Sequence, residues 1–96
     1  MYTWIIYDIS NDKNRTKISK VCKKAGYTRV QKSVFLGTYR ENRLDDIKTE
    51  IKDLIDPKTD RLFIFNMDSD QYQQITIHGK GFDKKRVSRE ILVLFF

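Results

Sequence analysis

The period of the apolar positions changes several times along the chain, and each change marks an element. Residues 2–9 (YTWIIYDI) form an almost unbroken run of aromatic and β-branched side chains, too short for a helix, ending in Ser10-Asn11-Asp12. This predicts a buried strand followed by a turn and a helix start. Ile18, Val21, Cys22 and Ala25 then recur at helical spacing and stop at Gly26, predicting a helix over residues 12–25 with Asp12 as its cap. Residues 27–39 are β-like again but long for one strand; the polar Lys32-Ser33 pair splits them in two, and Gly37 marks a bulge or a close approach. Leu44, Ile47, Ile51, Leu54 and Ile55 give a second helix, capped by Asn42, with Asp45 and Asp46 in its first turn and Asp56-Pro57 at its close. Residues 61–66 and 74–78 are the last two expected strands, separated by a polar loop over 67–73.

Strand, helix, strand, strand, helix, strand is the order of an α+β ferredoxin-like sandwich, in which two helices cover one face of an antiparallel sheet. Residues 74–78 would add an extra C-terminal strand, which could be supplied to a partner copy. Within the first strand Trp4, Ile6 and Asp8 share one face and Ile5, Tyr7 and Ile9 the other, so both faces carry apolar bulk. A second copy of the chain, forming a homodimer, is the simplest lid for the face without helices. The organisation expected is a ferredoxin-like domain over residues 1–79. A tail over 80–96 follows, in which the basic Lys84-Lys85-Arg86-Val87-Ser88-Arg89 precedes six apolar residues.

Composition narrows this little. Ninety-six residues, 40% of them hydrophobic, suffice for one modest core and exclude extended disorder. The single cysteine, Cys22, excludes a disulfide framework, and no apolar run reaches the roughly 20 residues that span a bilayer. A soluble, cytoplasmic protein without membrane contact is expected.

Charge changes the picture more. Nine basic residues and no acidic one lie between Lys13 and Arg40, whereas residues 41–70 hold nine acids against five bases. On the first helix Lys13, Lys17, Lys20 and Lys24 share a stripe away from Ile18, Val21, Cys22 and Ala25. A cationic helix back without carboxylates suits phosphate tracking, although a solvated face has the same composition. His78, the only histidine, supports neither a catalytic triad nor a histidine metal cage, and Cys22 reads as a small core residue. With Asp12 as the better cap, Asp8 at the strand end is left without a structural task.

Tyr7-Asp8-Ile9-Ser10-Asn11-Asp12, then Arg15, then Arg29-Val30-Gln31-Lys32-Ser33-Val34-Phe35-Leu36-Gly37 resemble the CRISPR-associated protein two family, the small subunit of the spacer-acquisition machinery. The resemblance covers roughly residues 1–79. It implies a homodimeric ferredoxin-like protein described as a metal-dependent endonuclease on single-stranded RNA or double-stranded DNA. It also implies a bridge between two dimers of the CRISPR-associated integrase. Residue by residue, the family's metal-binding aspartate falls on Asp8, and other positions implicated in activity fall on Tyr7, Arg15, Lys17, Arg29 and Phe35. Lys17 replaces an arginine seen in some relatives and loses its planar fork. On this reading Arg15, Lys17 and Arg29 contact phosphates together with Lys13, Lys20 and Lys24. Phe35 reads first as a core residue, with stacking on a base as the alternative, and Tyr7 reads equally as packing or function.

Hydrolysis of a phosphodiester by a hard cation needs oxygen ligands, and Mg2+ commonly takes one or two carboxylates and several waters. A two-fold axis beside the strand end would bring Asp8 and its symmetry mate together, so one Mg2+ shared by two protomers is expected. The apolar residues 91–96 are expected to add to the dimer or to the integrase. Two other functions share the same residues: a non-catalytic DNA-binding adaptor of the integrase, and a toxin-type ribonuclease of the same fold.

Overall fold

The computed structural model describes residues 1–81 together with Lys84, Arg86 and Val87. The expected tail contacts of residues 91–96, and Lys85, Ser88 and Arg89 of the basic run, lie outside the described residues.

The elements are β1 (Tyr2–Asp8), α1 (Asp12–Lys24), β2 (Thr28–Gln31), β3 (Val34–Thr38), α2 (Glu41–Ile51) with a single tighter turn after it (Lys52–Leu54), β4 (Arg61–Met67) and a short α3 (Ser69–Gln73). The strands form one sheet in the order β2-β3-β1-β4, every pair antiparallel. This is the ferredoxin-like arrangement, with β1 at the centre. The expected break at Lys32-Ser33 is the β2–β3 turn. Gly37 is a close approach, since a Cβ there would stand 2.8 Å from the Tyr27 ring, and the irregular register falls instead between Arg29 and Gln31.

Capping differs from expectation in three places. Asn11, not Asp12, caps α1, its side chain accepting from the Asn14 N–H at 3.0 Å; Asp12 is instead the acidic residue of the first turn. At the other end Tyr27 N–H donates to the Cys22 carbonyl and Gly26 N–H to that of Lys23, each at 3.0 Å, with Gly26 at a φ of 91° that a side chain would oppose. Helix α2 starts one residue before Asn42, has no side-chain cap at Arg40, and carries Glu41 rather than Asp45 or Asp46 in its first turn.

The expected fifth strand over residues 74–78 is not formed. Asp68 and Gln71 make a reciprocal capping box at 2.7 and 2.9 Å, which turns the chain into α3 directly after β4. Gln74 closes that helix, and Ile75 packs against the sheet. Within the single chain the alternating Gln-Ile-Thr-Ile-His pattern therefore pairs with no strand of the sheet.

Two cores result. Ile5, Tyr7 and Ile9 pack with Phe35 beneath Ile18 and Cys22 of α1 and Ile47 and Ile51 of α2. On the other face Trp4 and Leu36 are covered by Tyr72 and Val87 of the same chain. The Tyr72 hydroxyl donates to the Lys84 carbonyl at 2.9 Å, and the Lys84 ammonium donates to the carbonyls of Gln73 and Ile75 at the end of α3. Within this chain Tyr72 and Val87 already cover the Trp4 end of that face. On the same face Phe65, opposite Trp4, stays 42% exposed, and Phe63, opposite Ile6, 59%.

Candidate nucleic-acid interface

Because side chains alternate along β1, consecutive residues of the Tyr7-Asp8 pair point to opposite faces. Tyr7 enters the helix-covered core, whereas Asp8 ends the strand in solvent, across from Arg61 of β4 and on the side that carries Ile6 and Phe63. Among the described residues, no hydrogen bond or ion pair engages the Asp8 carboxylate.

The loop that follows is fixed by a residue the sequence reading passed over. Asp60 accepts from the backbone N–H and the hydroxyl of Ser10 at 3.0 and 2.9 Å, and from the Asp56 N–H at 2.8 Å. These donors, the Ser10 amide first, hold its carboxyl at about 2. Nothing in the acidic segment 41–70 singles Asp60 out before folding brings it 50 residues back to Ser10.

On the helix side, an open cavity of about 400 Å3 lies between α1, the end of β1 and the β2–β3 turn. Arg15, Lys20 and Lys23 of α1, Arg29 of β2 and Lys32 of the turn surround it; Tyr7, Thr16 and Ser19 supply hydroxyls, and no carboxylate lines it among the described residues. Arg15 donates to the Ile9 carbonyl at 3.1 Å and forms an ion pair with Asp12. Arg29 donates to the Ser19 hydroxyl and lies over the Phe35 ring. Phe35 is fully buried and stacks with Tyr7 at 6.3 Å, so it reaches this cavity only by supporting Arg29. The Tyr7 hydroxyl is buried beside Ser19 and Arg29, and among the described residues it makes no well-formed hydrogen bond. Burial raises its pKa, against the lowering effect of Arg29.

The lysine stripe of α1 divides. Lys20 turns into the cavity, Lys24 lines a groove between α1 and α2 beside Arg43, Asp46 and Glu50, and Lys13 and Lys17 remain exposed outside both. Thus Tyr7, Arg15, Lys20, Arg29 and Phe35 are brought together, whereas Asp8, Lys13, Lys17 and Lys24 are not. Lys23, Lys32, Thr16 and Ser19 were missed; Thr16, Ser19 and Lys23 flank Lys20 on α1, and only the approach of β2 and its turn makes their side of the helix a cavity.

For a metal ion, Asp8 offers one hard, unengaged oxygen donor pair. No group of three or more His, Cys, Asp or Glu side chains occurs among the described residues. Asp60, committed to backbone amides, is no companion ligand. Asp8 thus fits Mg2+, which accepts few carboxylates and keeps its waters, provided that another chain completes the set.

Fold and site together define a small ferredoxin-like α+β domain with a basic cavity on one side of its sheet and a lone carboxylate on the other. Residues 1–75 match the family model described as CRISPR associated protein Cas2. The chain is 36% identical over 81 residues to CRISPR-associated endoribonuclease Cas2 3 of Chloroflexus aurantiacus, covering 84% of this chain and 86% of that protein. It is likewise 36% identical to CRISPR-associated endoribonuclease Cas2 of Thermotoga maritima, over 86% of this chain and 95% of that one. Among solved structures, Streptococcus pyogenes Cas2 superposes with a TM-score of 0.69 at 26% identity, covering 82% of this chain and all of that chain. The chain belongs to the CRISPR-associated Cas2 family.

Proposed function

We propose that the protein is a Mg2+-dependent endonuclease acting on single-stranded RNA, double-stranded DNA or both, and that it serves spacer acquisition as a homodimer bridging two dimers of the CRISPR-associated integrase. The observation that carries this reading is Asp8, an exposed and unengaged carboxylate at a strand end, on the face where Phe63 and Phe65 stay uncovered. An isologous contact along that face brings two Asp8 carboxylates to one axis, where they would hold one Mg2+. When bound, the ion supplies charge neutralisation at the phosphate and lowers the pKa of a coordinated water. The names of the relatives, endoribonucleases, support the reaction class. Arg15 and Arg29 orient phosphates through their planar guanidinium groups, and Lys13, Lys17, Lys20 and Lys24 draw the strand in by charge. A cytoplasmic site of action accords with the absence, among the described residues, of any helix long and apolar enough to cross a membrane.

A second reading has its own observation. The cation-lined cavity lies on the opposite side of the sheet from Asp8, which suits an adaptor that grips DNA without cutting it. One gel separates the two. Wild type and Asp8→Asn are incubated with labelled RNA and duplex DNA, each with Mg2+ or EDTA, and scored for both cleavage and retained complex. Cleavage that needs Mg2+ and vanishes in Asp8→Asn, with binding retained, establishes the nuclease; binding without cleavage by either protein establishes the adaptor.

A further inference from the structure

We propose that the cavity beside α1 is a binding site for a terminal phosphate group, carried on a nucleic-acid strand end or on a free nucleotide, with the Tyr7 hydroxyl, Lys23 and Lys32 as parts of it. The inference rests on the nucleic-acid reading above but not on Asp8 or on a metal.

Three observations converge. The first is charge. Five cations face one cavity with no carboxylate lining it among the described residues; Arg15 is paired with Asp12 outside it, and the other four add a net positive field that an entering anion relieves. A phosphomonoester, at about −1.5 to −2 near neutral pH, answers that field better than the single charge of an internal diester. Its three free oxygens also accept more donors.

The second is the Tyr7 hydroxyl. Tyr7 is 4% exposed and lines the cavity, and among the described residues its hydroxyl makes no well-formed hydrogen bond, although Ser19 and Arg29 stand beside it. A buried hydroxyl without a partner is uncommon in a folded protein, and a ligand oxygen in the cavity would provide one. The third is rigidity and size. The Ser19 hydroxyl and the Phe35 ring hold Arg29, so its fork is already aimed. About 400 Å3 is the volume of a small-molecule site, which a strand end enters head-on while a passing backbone only crosses its mouth.

The test is binding in EDTA by the whole chain to two oligonucleotides labelled at the 3′ end and differing only in a 5′-phosphate or a 5′-hydroxyl. A parallel titration uses a nucleoside monophosphate and its nucleoside. The phosphorylated oligonucleotide is expected to bind about tenfold more tightly, with inorganic phosphate competing for the difference. Lys23→Ala/Lys32→Ala should remove most of the preference. Tyr7→Phe should reduce it with little change in the melting temperature, because the lost hydroxyl makes no well-formed hydrogen bond among the described residues. Preference for the phosphorylated oligonucleotide alone assigns the group to a strand end, and equal preference for the free nucleotide assigns it to the nucleotide pool. Equal binding of both oligonucleotides with no phosphate-dependent nucleotide binding overturns the cavity proposal and leaves the nuclease reading standing. A preference that survives Lys23→Ala/Lys32→Ala overturns the assigned location. Failure to bind any nucleic acid or nucleotide overturns both readings.

Discussion

The Arg29 guanidinium lies 5.3 Å from the centre of the Phe35 ring and donates to the Ser19 hydroxyl. The two residues answer different questions although the sequence sets both in one motif. Arg29 is exposed and available to phosphate, while Phe35 is fully buried between it and the core.

Phe35→Ala is therefore expected to act through stability. Removing a fully buried ring costs about 3–5 kcal/mol, read as a fall in the denaturant midpoint. Arg29→Lys keeps the charge and should leave that midpoint nearly unchanged, while weakening RNA or DNA binding severalfold through loss of the fork. If Phe35→Ala were as stable as wild type but inactive, a direct role for the ring in binding nucleic acid would replace the supporting one.

Asp60 predicts the acid limb of stability. Its carboxyl is held at about 2 against an ordinary 3.8 by the Ser10 and Asp56 amides, so ionised Asp60 stabilises the fold above pH 3.8. That contribution is lost as pH falls from 3.8 toward about 2. Asp60→Asn should lower the melting temperature at neutral pH and flatten its decline across this window. Melting curves of the two proteins between pH 2 and 7 measure both effects, and parallel curves would mean that the Ser10 contact stabilises nothing.

Where local chemistry decides an element, the sequence showed it. The β1 run, the Gly26 stop and the Lys32-Ser33 break all correspond to boundaries in the fold, because each rests on residues within one turn of the chain. Residues 74–78 form no strand within the single chain, because alternation makes a strand only beside a free edge and the Asp68–Gln71 box turns the chain away from β4. The cavity was half legible. Arg15, Lys20 and Arg29 stood out by charge, but Lys23, Lys32 and the Tyr7 hydroxyl acquire meaning only from the approach of β2 and its turn to α1. Asp60 had no local signal at all.

Cys22 should behave as a core residue and not as a reactive thiol. Burial pushes it up to about 12, with Arg29 opposing, and its side chain is fully enclosed. Thiol reagents near pH 8 should label the native protein only as fast as it opens, and denaturant should raise the rate by orders of magnitude. The sign of its pH linkage is opposite to that of Asp60. The contribution is complete below the ordinary 9.0 and is lost as pH rises toward about 12, where the unfolded chain ionises first. Rapid native labelling would mean that α1 separates from the sheet far more readily than its packing implies.

The exposed end of the sheet ties assembly to cleavage. Phe63 lies opposite Ile6 in the β1–β4 register and is 59% exposed, two residues from Arg61, the partner of Asp8. If two copies meet along this face, Phe63 enters the contact and the two Asp8 carboxylates approach the same axis. Phe63→Ser should therefore lower the mass in analytical ultracentrifugation to that of one chain. Its own fold should shift by no more than about 0.5 kcal/mol, as is usual for an exposed site. Cleavage should disappear with the dimer and return at high protein concentration, since association and the metal site are then one equilibrium. A Phe63→Ser protein that cleaves as a monomer with undiminished Mg2+ dependence would assign the metal to Asp8 of a single chain and remove the shared site.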